Sequence, residues 1–127
     1  MIEALFNQPG YLAAQRMLDA SVVRHEAIAS NIANLETPNY KRIDVAPSFA
    51  VDLKRALSNG DAGHLKSLKP SLAVDSKAVA ANRDGNTVKL EHELLALNQN
   101  QLVHTLETQL VTGSLLKLRL AITGRAA

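Results

Sequence analysis

Eleven of the chain's 20 leucines fall between Leu90 and Leu120, and this concentration limits the possible folds more than any other feature. A seven-residue pattern steps through Leu90, Leu94, Leu97, Gln101, His104, Thr108, Val111, Leu115, Leu118 and Ile122, the spacing of a helix that buries one seam. The middle of that pattern is polar, but Leu102, Leu106 and Leu110 supply an adjacent stripe, so the apolar face shifts around the helix. Asn86 is placed to cap the start, with Glu91 and Glu93 near the positive end of the dipole and Lys117 and Arg119 near the negative end. Gly124 stands where a C-cap glycine belongs. At 1.5 Å per residue, 88–122 spans roughly 50 Å. Such a helix needs partners.

A second long helix is expected from about Pro9 to Asn34. Pro9 suits a first helical turn. Tyr11, Leu18, Val22, Ala29 and Ile32 recur at helical spacing with Ile28 beside them, and Thr37 before Pro38 is pushed out of the helical region. Between the two helices, Phe49, Leu53 and Leu57 at i, i+4 and i+8 give one apolar edge over Ser48 to Leu57, too short to hold as an isolated helix. Residues 58–87 hold only three leucines and are punctuated by Ser58-Asn59-Gly60-Asp61-Ala62-Gly63, Pro70 and Asp84-Gly85-Asn86, which predicts loop with a short hairpin at most. The fold expected is mainly α. Long N- and C-terminal helices pair as a coiled-coil-like bundle around an irregular loop region. The divisions are 1–42 (helix and following turn), 43–87 (loop with a short helix) and 88–127 (C-terminal helix, co-folding with 1–42). The N-terminal helix is the natural partner inside the chain, and two helices alone leave apolar surface for neighbouring subunits.

Composition narrows function mostly by exclusion. The chain has 127 residues, one domain at most, with two Phe, two Tyr and no Trp, so its apolar mass suits helices better than sandwiches or barrels. A net charge of +2 with scattered bases gives no nucleic-acid footprint. Without cysteine there is no disulfide framework or thiolate metal site. The start lacks the basic n-region of a signal peptide, and no apolar run is long enough to insert directly in a membrane. His92-Glu93-Leu94-Leu95-Ala96 opens like a zinc-protease helix, but Ala96 fills the position of the second histidine; the plain reading is a solvated helix face. His25, His64 and His104 are too dispersed for a ligand set. Asn82-Arg83-Asp84-Gly85-Asn86 lacks the alternating acids of a calcium loop and reads as a turn feeding a helix. No catalytic, cofactor-binding or metal-binding set emerges, so an enzyme is not expected.

The segment from Ala29 to Arg42 ends the first helix in a proline-initiated turn with an aromatic and two bases behind it. Asn31, Ile32, Ala33, Asn34, Thr37, Pro38, Tyr40 and Lys41 fit the form S/A-N-I-A-N-x-x-T-P-x-Y-K/R, and on these residues the chain resembles the bacterial flagellar axial proteins, the rod, hook and junction family. Gly63-His64-Leu65, Arg83-Asp84-Gly85-Asn86-Thr87-Val88, Asn100-Gln101-Leu102 and Leu118 to Arg125 follow the order of the short proximal rod members. The chain's length favours these members too, because distal rod and hook proteins carry large inserted β-domains. The closing Ala121-Ile122-Thr123-Gly124-Arg125 points to one of the two short proximal rod proteins, with the other as the alternative. Residues 66–82 carry no match. The family commonly has glycine where Asn39 stands, and asparagine is the best non-glycine residue for the left-handed conformation that a type II-like turn needs. An aromatic often stands in the family where this chain has His104.

The resemblance implies a structural subunit of the rod, crossing the periplasmic space in the basal body. It implies export through the flagellar type III gate and polymerisation by the terminal helices. Its partners would be copies of itself, other rod proteins, the rod adapter FliE and the inner-membrane MS ring, with the export gate met in transit. Asn31 to Asn34 and Thr37 to Lys41, Asn39 included, would form the assembly signature. Leu18, Val22, Leu90, Leu94, Leu97, Leu106, Val111, Leu115, Leu118 and Ile122 would pack helices. Phe49 and Leu53 resemble the F-x-x-x-apolar element with which early rod subunits dock at the gate, although such a pair also packs any short helix. From the residues alone, the other class of function is a cytoplasmic helical adaptor using the same heptads for a partner helix.

Overall fold

The computed structural model describes residues 2–124, which leaves Met1 and Arg125 of the closing motif outside the described residues. Seven elements follow in order: α1 (Ile2–Phe6), α2 (Pro9–Ala33), β1 (Ile43–Val45), α3 (Pro47–Asn59), α4 (Ala62–Ser67), β2 (Leu72–Val74) and α5 (Leu90–Thr123). The architecture is mainly helical, with the two long helices packed together, as expected. They run antiparallel: Asn31 of α2 meets Glu93 of α5, and Ser21 meets Asn100 and His104. Pro9 opens α2 at its first turn, and Gly124 closes α5 in the left-handed conformation at φ 65°.

Residues 43–87 are more structured than loop punctuation suggests. Asp61 accepts a hydrogen bond from the His64 N–H at 2.9 Å and starts α4. That one side-chain cap lets a six-residue helix form in a glycine-bearing stretch. β1 and β2 pair antiparallel with Asp44 opposite Ala73. This is a two-stranded sheet closed across the α3–α4 excursion, in place of a local hairpin.

The apolar core is built from α2, β1, α3 and α4, with no member from α5. Leu12 and Ala13 of α2, Val45 of β1, Phe49, Leu53 and Ala56 of α3 and Leu65 of α4 form one buried cluster. The expected α3 edge needs correction here. Ala56 takes the third buried place, and Leu57 is exposed. A turn of 100° per residue brings i+7 closer to the face of i and i+4 than i+8.

Candidate assembly site

The signature after α2 is an internal joint. Asn31 is fully buried, and its amide pairs with the backbone of Ile43 as another strand would: Nδ2 donates to the Ile43 carbonyl at 2.8 Å, and Oδ1 accepts the Ile43 N–H at 3.0 Å. One turn later, Asn34 donates to the Ser30 carbonyl at 2.8 Å and accepts from Thr37 Oγ1 at 3.1 Å, tying off the helix end. The Tyr40 hydroxyl lies 3.0 Å from Ser30 Oγ. Pro38 and Asn39 fill the corner of a turn in which the Tyr40 N–H reaches the Thr37 carbonyl at 3.3 Å. Asn39 has φ 59°, as the sequence leads one to expect.

The segment 84–88 is stitched to this turn. The Asn39 N–H donates to the Asp84 carbonyl at 2.8 Å, and the Thr87 N–H donates to the Tyr40 carbonyl at 3.1 Å. Lys41 Nζ donates to the Gly85 carbonyl at 3.0 Å. Asn86 was expected to cap α5, but it does not. Its amide nitrogen lies 2.8–3.1 Å from the carbonyls of Asn34, Leu35 and Thr37. Lys89 occupies the N-cap of α5 without a side-chain bond. The carbonyls that turn outward just past α2 are better acceptors for that amide than anything at α5, whose first turn needs acceptors rather than donors. Gly85 has φ 73°, and a Cβ there would fall 2.6 Å from Asn39 Oδ1. The two motifs are therefore one unit.

A buried ion cluster lies beneath it. Arg42 Nε donates to Glu93 Oε1 at 2.6 Å, while Nη1 reaches Asp75 at 2.9 Å and Asp44 at 3.2 Å. Glu93 is 0% exposed and also accepts from Asn31 Nδ2 at 3.2 Å. Burial works against the Arg42 charge, but Glu93 and Asp44 outweigh it and raise its pKa. Burial likewise opposes the Asp44 charge, but Arg24, the Val45 N–H and Arg42 prevail and hold its carboxyl below the usual range. Sequence reasoning gave Arg42, Asp75 and Thr87 no part in this joint, and it took Asn86 for a helix cap. It placed Glu93 on a solvated face.

The seam between α2 and α5 is polar. Glu93, Asn100 and Glu107 are the buried residues of α5. Asn100 Nδ2 donates to the Ser21 carbonyl at 2.8 Å, and His104 Nδ1 lies 2.9 Å from Ser21 Oγ. Burial raises the Glu107 pKa against the opposing influence of Ser21, His104 and Arg24. A heptad does face α2, but it is the polar series 93, 100 and 107. The leucine heptad is displaced from it. Leu18, Leu97, Val111 and Leu118 are half-buried. Val22, Leu90, Leu94, Leu106, Leu115 and Ile122 are exposed, together with Leu95, Leu102, Leu110, Leu116 and Leu120. Leu102 and Ile122 retain 63% and 62% of their accessible surface. Within one chain the exposed ones do not form the expected packing seam, because Glu93, Asn100 and Glu107 occupy the buried face of α5.

Of the signature residues, Asn31 is buried, Ile32, Asn34 and Tyr40 are half-buried, and Ala33, Thr37, Pro38, Asn39 and Lys41 are exposed. Phe49 and Leu53 are only 7% and 9% exposed, held in the core cluster. No described helix is long and apolar enough to cross a membrane.

Comparison with known proteins points one way. The family model described as flagella basal body rod protein matches residues 13–41, the stretch from the first core residues of α2 through the turn. A flagellar basal body rod protein FlgB from Borrelia hermsii is 35% identical over 114 residues, covering 76% of this chain and 83% of the relative. FlgB of Borreliella burgdorferi is 31% identical over 112 residues, covering 75% and 82%. FlgB of Aquifex aeolicus is 31% identical over 105 residues, covering 81% and 84%. All three relatives bear the name FlgB, and none bears that of FlgC, the alternative left by the motifs.

Proposed function

The chain belongs to the flagellar basal body rod protein family, and from that premise we propose that neighbouring subunits cover the outward leucine face of α5 as the rod is built. The protein is a structural subunit of the flagellar basal body, not an enzyme. The proposal concerns how it is assembled. The single observation that carries it is the exposure of Leu94, Leu102, Leu106, Leu110, Leu116 and Leu120 on a helix whose opposite face, at Glu93, Asn100 and Glu107, is buried. A contiguous exposed apolar face of this kind marks an interaction site. Repeated head-to-tail contacts that do not close into a ring produce an open helical assembly.

The rod would lie in the periplasmic space. The subunit would reach it unfolded through the flagellar type III gate, and its partners would be its own copies, other rod proteins, the adapter FliE and the MS ring. Because Phe49 and Leu53 are inside the folded subunit, their docking at the gate would take place only in the unfolded chain. The signature would serve assembly indirectly, by fixing the angle at which 43–87 leaves α2. Replacing Leu102 and Leu110 by serine tests the reading. The purified variant is expected to keep its helical content and α2–α5 contact, yet fail to enter rods in a strain lacking the native protein. Normal incorporation and swimming would refute it.

A further inference from the structure

A cavity of about 240 Å³ opens where α2, α3 and the middle of α5 meet. Met17, Phe49, Leu53 and Val103 supply apolar lining, and Asn100 and Glu107 line it from α5. Both polar side chains are more than nine-tenths buried, at 6% and 4% exposure. Asn100 Oδ1 and Glu107 Oε2 have no hydrogen-bond partner. Ser21 approaches Glu107, but its one hydroxyl proton is also sought by the Leu18 carbonyl at 2.7 Å and by the His104 contact, so it cannot serve all three. Arg24, the one cation on the cavity wall, is engaged with Asp44 at 3.0 Å. Two unpaired acceptors in an apolar recess call for a donor carried on an apolar surface.

The chain carries such a surface at the far end of α5. Leu115, Leu116, Leu120 and Ile122 are exposed around Arg119, which makes no ion pair among the described residues. We propose that this end of α5 in one copy docks against the α2–α3–α5 cavity of a second copy, with the Arg119 guanidinium serving Glu107 and Asn100. A guanidinium offers five donors in a fork and satisfies a carboxylate and an amide oxygen together. Donor and acceptor lie about 18 Å apart along α5, so each copy offers both halves and the contact is head-to-tail, the kind that propagates. The inference rests on the rod reading and names one contact within it.

Two experiments test it in a strain lacking the native protein. Arg119→Glu is expected to lower rod incorporation at least about tenfold, as unpairing a buried charge does, and combining it with Glu107→Arg is expected to restore most of it. The chain has no cysteine, so Val103→Cys together with Leu116→Cys reports the contact with native charges in place. Oxidation of isolated rods is expected to give a ladder of self-linked subunits, absent from either single variant. Undiminished incorporation of Arg119→Glu, rods without a ladder, or linkage to a protein of another size would each overturn the proposal. If Arg119→Glu enters rods while the Leu102 and Leu110 variant does not, this contact fails and the rod reading stands.

Discussion

Glu93→Ala gives the sharpest test of the joint. The substitution removes the carboxylate that accepts Arg42 Nε at 2.6 Å and Asn31 Nδ2 at 3.2 Å. Breaking a buried ion pair by deleting one partner costs about 3–5 kcal/mol, because the surviving charge remains out of water. Arg42 still has Asp44 and Asp75 on Nη1, and Asn31 keeps the Ile43 carbonyl, so the expected loss is near the lower end, about 3 kcal/mol. Glu93→Gln keeps an acceptor for Arg42 but sets an amide donor near the Asn31 amide. It is expected to cost about 1–3 kcal/mol. With a slope of about 1–3 kcal/mol per molar urea, Glu93→Ala moves the unfolding midpoint by about 1–3 M. The assay is urea unfolding of the purified subunit followed by circular dichroism, with Glu91→Ala on the exposed flank as a control within about 0.5 kcal/mol. A Glu93→Ala loss below about 1 kcal/mol would refute the idea that this cluster holds α5 to the signature.

Three further outcomes follow from named residues. Asn39→Gly is expected to be nearly neutral in urea unfolding, whereas Asn39→Val loses about 1–2 kcal/mol at its positive φ; equal stability of the two would remove the turn argument. Glu107→Gln changes the pH profile. The pKa of Glu107 is raised in the fold, so its contribution is full below its ordinary value and is lost as pH rises through the folded one. Asp44, with its lowered pKa, contributes above its ordinary value and loses that contribution as pH falls through the folded one. Glu107→Gln is therefore expected to be more stable than wild type at pH 7 while keeping the acid loss due to Asp44, and an unchanged profile from pH 4 to 7 contradicts this. Phe49→Ala empties a core site at a cost of about 3–5 kcal/mol. Release of wild-type amounts of that variant by a strain that cannot build past the rod would remove the gate role and leave packing alone.

The long helices were legible because their signals are local. Pro9 begins α2, Thr37-Pro38 bars its continuation beyond the turn, and Gly124 ends α5, each through a local backbone restriction. Positive φ at Asn39 was readable for the same reason. The facing of α5 was not. Leucine spacing marks an apolar stripe but does not say whether its partner is in the same chain. The intramolecular stripe is instead marked by the polar series Glu93, Asn100 and Glu107, seven residues apart, each needing a partner on α2 or in the joint. That signal is present in the sequence but is outweighed by eleven leucines. Asn86 and Arg42 were misjudged or missed because their partners lie about 50 residues away. β1 and β2 are three residues each, too short for alternation to mark.

The central claim is that the outward face of α5 is covered only in the rod. Its most direct test is maleimide labelling of a single cysteine placed by Leu102→Cys or Leu110→Cys in this cysteine-free chain. The reaction rate of the purified subunit is compared with that of the same variant in isolated basal bodies. The account predicts fast labelling of the free subunit, where these positions are 63% and 61% exposed, and labelling slowed by at least about tenfold in the rod, where neighbouring helices exclude water from a packed interface. Equal rates in the two states would contradict it.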